Sequence, residues 1–269
     1  MSDLRENTSA ETGRRVRHRS CSLTMVIGLV MLGAVAASAL TCPGSTSAVS
    51  ITLTGNYTQN GSGDCFRLTG GSNVYVNMNG FRITCTAGAC AGAAITTATG
   101  TTATVTDQAT GNTGGIYGPW TYGVRNLYVQ TLNIDGAQYA VYNDACASST
   151  LCGAEYNVIT NPTSTGIFAR SPQGRIDNNF IDNPGQYGID AGGATATIQI
   201  DHNFVRGYGS TGMSVANTVN GHENVIDRGD AGATPVVNTG GGVPPNWIST
   251  NICEDATWCP QPKARYILP

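Results

Sequence analysis

Four residues, Glu155, Asp177, Asp201 and His222, recur at intervals of 22, 24 and 21, each two positions before an asparagine. If those intervals stack them in one column, three carboxylates stand about 4.8 Å apart and repel unless a cation or protons intervene. Calcium takes carboxylate oxygens and would resolve that conflict. An ion held by Glu155, Asp177 and Asp201 would also acidify the α-carbon proton of a uronate whose carboxylate it binds, as a lyase requires. A proton acceptor is then needed. Arg170 and His202 are the candidates, with Arg175, Arg206 and His222 nearby. A neutral Arg is hard to obtain, whereas His titrates in a useful range. The competing reading is a row of hydrated acids that cap corner amides.

A second series suits sugar binding. Arg67, Thr96, Tyr117, Tyr142, Phe168, Asp190, Ser214 and Val237 each follow a pair of the type Gly166-Ile167 or Gly188-Ile189. If the apolar member of the pair points inward on a strand, the next residue points outward. Tyr117, Tyr142 and Phe168 then form a stripe on which sugars stack, with Asp144, Arg170 and Asp190 on the same face. The alternative is that a loop such as 111–120 covers the stripe and makes it a satellite core.

Both columns presuppose a repeat. Asn157, Asn179, Asn203 and Asn224 share the intervals 22, 24 and 21, and a second marker follows each by about nine residues. A period of 20–25 residues signals a solenoid. Each unit holds short strand-type runs punctuated by Gly, Asn, Asp and Pro, and none carries a helical periodicity. The expected fold is all-β: a single-stranded right-handed parallel β-helix of about eight coils, about 22 residues each. The asparagines are expected at tight left-handed corners, their amides bonded from coil to coil as a buried ladder. The second marker traces back through residues 212, 188, 166, 140, 115, 94 and 65. Residues 42–64 should then close the N-terminal end. Three regions are expected: 1–39 a signal peptide, 40–240 the β-helix, and 241–269 a disulfide-closed C-terminal cap over the last coil or a tail.

Composition sets the compartment. A basic stretch (Arg14, Arg15, Arg17, Arg19), an apolar run from Met25 to Leu40 and Ala37-Ser38-Ala39 read as a secretory signal, leaving no membrane span once removed. The chain has one lysine and 12% charged residues, which argues against a nucleic-acid partner. Without residues 1–39, 14 acids face 9 bases, a net charge of −5. Eight cysteines remain, and proximity suggests Cys85–Cys90, Cys146–Cys152, Cys253–Cys259 and Cys42–Cys65. Their spacing suits disulfides rather than zinc, and the protein is expected to be secreted, periplasmic or on the cell surface. The oligomeric state is open.

Asn79-Gly80-Phe81-Arg82-Ile83 and Asn178-Asn179-Phe180-Ile181 resemble repeats of the pectate-lyase-like superfamily, right-handed parallel β-helix proteins that include pectate lyases, polygalacturonases and alginate lyases. Ile198-Gln199-Ile200-Asp201-His202-Asn203 is similar to the Trp-Ile-Asp-His stretch of pectate lyases, in which the Asp binds calcium. Gln199 stands at the Trp position, and the Arg-x-Pro-x-x-Arg motif that carries the base in those enzymes is absent. The resemblance implies a secreted protein acting on polysaccharide, through calcium-assisted cleavage of an acidic, uronate-containing glycan. The alternative is a non-catalytic extracellular module for glycan binding, adhesion or structure.

Overall fold

A column of buried β-branched residues explains the architecture. Ile83, Ile116, Ile134, Ile159, Ile181, Val205 and Ile226 are strand partners in series, and all are at most 1% exposed. A second column runs through Phe66, Ile95, Val124, Val141, Ile167, Ile189, Met213 and Val236. A third joins Val76, Val105, Val129, Ala154, Ile176 and Ile200. The three columns meet in one core. Along the sheet A strands the residues flanking the column members are mostly exposed or half-buried, as the two-residue strand period requires, whereas in sheet B small flanking residues such as Ala94 and Ala140 are also buried.

The computed structural model describes residues 39–111, 113–146, 152–170, 174–194, 197–241 and 251–253. Their 27 strands form three wholly parallel sheets of 10, 9 and 8 strands, here A, B and C. The chain visits A, B and C in turn, so each circuit is one coil of a parallel β-helix. Eight coils are complete. A ninth contributes strands to sheets A and B, and Ile252–Cys253 adds a last strand to sheet A. The solenoid begins at Leu40–Thr41, so residues 42–64 are coil rather than a separate end. The break expected after residue 240 is also partial, because Asn251 and Ile252–Cys253 rejoin the stack. The signal segment up to residue 38 and most of the expected cap lie outside the described residues.

The ladder forms as expected and gains a fifth rung. Asn157, Asn179, Asn203, Asn224 and Asn251 are at most 2% exposed. Each side-chain amide donates to the carbonyl oxygen of the next, at 2.8–3.0 Å. That oxygen also accepts the backbone N–H of the preceding rung, at 2.9–3.1 Å. The left-handed residue is not the Asn but the one before it: Tyr156, Asn178, His202 and Glu223, with φ of 54–56°, and Thr131 holds the same conformation before Leu132. The Asn side chain thereby turns inward to replace the hydrogen bonds that the corner interrupts.

The glycine of the second marker is there for close packing. A Cβ at Gly188 would lie 2.2 Å from Val205 Cγ1 and 2.5 Å from the Gly212 carbonyl oxygen, and one at Gly212 would lie 2.3 Å from Ile226. Sheets A and B meet too closely there for any side chain.

The marker at Gly115-Ile116-Tyr117 is out of phase. Those residues form a sheet A strand between Arg82–Cys85 and Asn133–Asp135. The sheet B position belongs to Gly123-Val124-Arg125, where Arg125 pairs with Thr96 and Tyr142. An insertion after Thr106 displaced the pattern.

Disulfides join Cys42–Cys65, Cys85–Cys90 and Cys146–Cys152. Cys253 is also bonded, and Cys259 lies outside the described residues. These bonds indicate an oxidising compartment. Among the described residues no helix is long and apolar enough to cross a membrane.

Candidate functional site

Two polar regions stand out, one at the corner from sheet C to sheet A and one on the outer face of sheet B.

The corner contains the expected acidic column. Glu155 pairs with Asp177, Asp177 with Asp201 and Asp201 with His222. Asp177 and Asp201 are not hydrated acids: they are 2% and 0% exposed. Cations from neighbouring coils cover them. Arg175 Nη2 lies 3.1 Å from Asp177 Oδ2, and its Nε lies 3.8 Å from Asp201 Oδ2. His202 Nδ1 is 3.0 Å from Asp177 Oδ1, and His222 Nε2 is 3.0 Å from Asp201 Oδ1. Asn178 donates to Asp177 Oδ2 at 2.8 Å.

The outer nitrogens of both imidazoles turn to Glu223. His202 Nε2 contacts Glu223 Oε2 closely, and His222 Nδ1 lies 3.9 Å from it. One potential ligand atom from each of His202, His222 and Glu223 lies within 4.8 Å of the other two. Burial pushes the Asp201 carboxyl above its ordinary range against the pull of His222, Gln199 and Arg175. The hydrogen bond to Asp177 raises His202.

This arrangement fits calcium poorly. The oxygens of Asp177 and Asp201 face the Arg175 guanidinium and two imidazoles, so nitrogen groups rather than further oxygen ligands surround them. Glu155 stands apart: Gln130 Nε2 donates to its Oε2 at 3.2 Å and also to the Tyr128 hydroxyl at 3.2 Å. Burial and the neighbouring Glu155 hold the Tyr128 hydroxyl well above its usual range. Glu155 lines a cleft of about 390 Å³ with Arg175 and Tyr128 instead of completing an oxygen cage.

The face of sheet B carries the aromatic cluster, with changed membership. Tyr142 and Phe168 stack at 4.6 Å and 5°. Tyr122 joins Tyr142 at 4.7 Å, and Tyr139 packs against Tyr122, Tyr142 and Phe168. Tyr117 is absent from this stripe because it belongs to sheet A, where Arg82 lies over its ring at 4.9 Å. Arg125 takes its place and lies over Tyr122 and Tyr142 at 4.9 and 5.6 Å. The rings stack along the solenoid axis, so Tyr142 covers one face of Phe168 while Arg170 sits over the ring at 4.2 Å. Ring edges and hydroxyls, rather than open faces, are left to a ligand.

Arg170 donates to Asp190 Oδ2 at 2.7 Å and to the Asp190 carbonyl oxygen at 2.9 Å. With its donors engaged by Asp190, this guanidinium fits a proton acceptor badly. It follows a sheet B strand, whereas His202 follows a sheet C strand. The two base candidates therefore do not share a site. Asp144 accepts from the Tyr142 hydroxyl at 3.0 Å; burial first, and then this bond, leave that hydroxyl pushed up to about 12.

Beside this cluster lies a groove of about 290 Å³ lined by Arg67, Thr96, Thr97, Arg125 and Asn126, with Asp64 at its wall. Arg67, Thr96 and Arg125 are register partners on three successive coils. Neither arginine has a carboxylate within ion-pair distance among the described residues. Arg125 Nε is buried without a hydrogen-bond partner. Asp64 is occupied by the Ala93 backbone N–H at 2.9 Å. Sequence reasoning missed Arg125 through the phase error. Glu223 was legible as the residue before a ladder Asn, the position that His202 also holds.

Comparison of the chain with protein-family models, curated proteins and solved structures finds no match.

Proposed function

We propose that this is an exported β-helix protein of the pectate-lyase-like superfamily that binds an acidic polysaccharide along sheet B. One observation carries the reading: Arg67 and Arg125 line one groove, and neither meets a carboxylate among the described residues. They stand two coils apart, about 10 Å along the axis at ~4.8 Å per strand. That distance is comparable to a disaccharide, so alternate carboxylates or sulfates of a linear glycan could meet both. A guanidinium suits such groups because its planar donors pair with both oxygens of an acid. The Tyr122–Tyr142–Phe168 cluster holds Arg125 and Arg170 in place and offers hydroxyls alongside.

Binding without turnover is favoured over cleavage. A lyase needs its base and its charge-stabilising group on one sugar, whereas Arg170 and His202 occupy different faces. The test uses the disulfide-formed protein with polygalacturonate, alginate and heparan sulfate, in calcium and in chelator. Saturable binding is expected in both, weakened about 10-fold or more by Arg125→Ala, since a charge-assisted hydrogen bond contributes about 1.5–3 kcal/mol. Unchanged binding in Arg67→Ala/Arg125→Ala would sink the proposal. Calcium-dependent release of unsaturated products would favour the lyase instead.

A further inference from the structure

The corner from sheet C to sheet A is built like a metal centre with its supporting layer already in place. Of the chain's three histidines, two meet here. They come from consecutive coils, in Asp201-His202-Asn203 and His222-Glu223-Asn224. His202 and Glu223 hold the same left-handed corner position one coil apart, each fixed by the buried ladder Asn that follows it. His222 arrives from the adjacent column, as the strand partner of Asp201. Three potential ligands are thus carried on rigid backbone at one end of the solenoid.

We propose that His202 Nε2, His222 Nδ1 and the Glu223 carboxylate bind one divalent transition-metal ion of the zinc type. The orientation of the rings supports this. A ligating imidazole usually gives its other N–H to a carboxylate, which fixes the tautomer and raises the basicity of the ligating nitrogen. Here Asp177 faces His202 Nδ1 and Asp201 faces His222 Nε2, each at 3.0 Å. Both acids are essentially buried; His202 Nδ1 is hydrogen-bonded to Asp177 Oδ1, whereas the His222 Nε2 approach to Asp201 lacks hydrogen-bond alignment and leaves both Asp201 oxygens without a hydrogen bond among the described residues. A slight turn of the His222 ring would align its inner N–H on the unpartnered Asp201 carboxylate, and the outer nitrogens of both rings are then left for the ion beside Glu223. One potential ligand atom from each residue lies within 4.8 Å of the others. A tetrahedral ion with bonds of about 2.0 Å holds its ligands roughly 3.3 Å apart, so small side-chain shifts close the site. Nitrogen-rich donors favour zinc, copper or nickel over calcium or magnesium. His202 and Glu223 are exposed and His222 half-buried, which leaves an outward position for water or a ligand oxygen. This corner is separate from the sheet B groove, and the proposal does not rest on glycan binding.

The test takes the chelator-treated, disulfide-formed protein and titrates it with zinc by calorimetry and with cobalt(II) by visible absorption. One ion per chain, release of protons and the intense visible bands of low-symmetry cobalt are expected, with no competition from excess calcium. His222→Gln should weaken binding at least 100-fold. Glu223→Gln, at an exposed position that does not endanger folding, should weaken it about 10-fold and alter the cobalt spectrum. Zinc binding by the native chain that is unchanged in both variants would place the ion elsewhere and overturn the proposal. So would the absence of binding in the native chain, whose corner would then be an ion-pair network of imidazolium and carboxylate.

Discussion

The two ends of the solenoid solve the same problem differently. In the first coils the sheet A partners Leu40, Tyr57, Ile83, Ile116 and Ile134 are 17, 26, 33 and 18 residues apart. In the later coils Ile134, Ile159, Ile181, Val205 and Ile226 are 25, 22, 24 and 21 apart. The later coils close each corner with a ladder Asn. The earlier ones use unlike devices: Asp107, 3% exposed, accepts the backbone N–H groups of Gly80, Ala109 and Gly114 at 2.8–3.1 Å, and Leu132 fills the position before the first ladder rung. Disulfides clip the first coils at Cys42–Cys65 and Cys85–Cys90 and a mid-solenoid turn at Cys146–Cys152. The strands must stay in register, but a corner tolerates any insertion whose polar groups are satisfied. Regularity therefore measures how each corner is satisfied. The two candidate sites follow this division, the anion groove among the irregular coils and the imidazole corner on the ladder.

The most severe test of this contrast imports the Leu132 solution into the ladder. Leu132 is tolerated because only its backbone N–H meets the ladder, donating to Asn157 Oδ1 at 3.1 Å. Asn203→Leu would remove the acceptor of the Asn179 N–H and the donor to the Ile176 carbonyl, both now satisfied at 2.9–3.1 Å. Two buried orphans at about 1–3 kcal/mol each predict a loss of about 2–6 kcal/mol in urea unfolding. A loss under about 1 kcal/mol would show that the ladder is incidental.

This division also explains what could be read in advance. The ladder asparagines were legible because each must sit at one phase and no apolar residue can replace it. The marker pairs were legible because Gly188 and Gly212 leave no room for a Cβ. Gly115-Ile116 carries the same pair on sheet A, and nothing local distinguishes it. The eight residues between Thr106 and Gly115 moved the phase, which misplaced Tyr117 and hid Arg125. The acidic column was legible as a column, but not as buried. Its burial depends on Arg175, His202 and His222 reaching across coils, a tertiary fact that spacing does not encode. Ring orientation in the aromatic cluster was hidden for the same reason.

Among the clips, the effect should scale with the loop closed. Cys42–Cys65 spans 23 residues and Cys85–Cys90 spans five. Chain-entropy arithmetic gives about 3 kcal/mol for the first and about 2 kcal/mol for the second. Paired serine substitutions, compared by urea midpoint, should therefore destabilise in that order. The reverse order would mean that the shorter clip holds its corner in the folded state, as the ladder does farther along.

The smallest effect should be a pH response confined to one end. Both described histidines, His202 and His222, lie in the later coils. Asp177 first, and then Glu223, raise His202 above its unfolded value of 6.5. The folded chain therefore holds this proton where the unfolded chain has released it. His202 contributes stability that is complete below about 6.5 and is lost as pH rises through its higher folded value. Burial raises Asp201 as well, so that carboxyl also favours the folded state more in acid than once both states are ionised. In chelator, the amides of the later coils should thus lose exchange protection as pH rises above about 6.5, after correction for intrinsic rates, while the first coils change little. The change should be modest, because His202 is exposed and solvent screens its pairs. His202→Gln should flatten it. Loss spread equally over both ends would show that the solenoid opens as one cooperative unit, and the separation of the two halves would then hold for structure but not for stability.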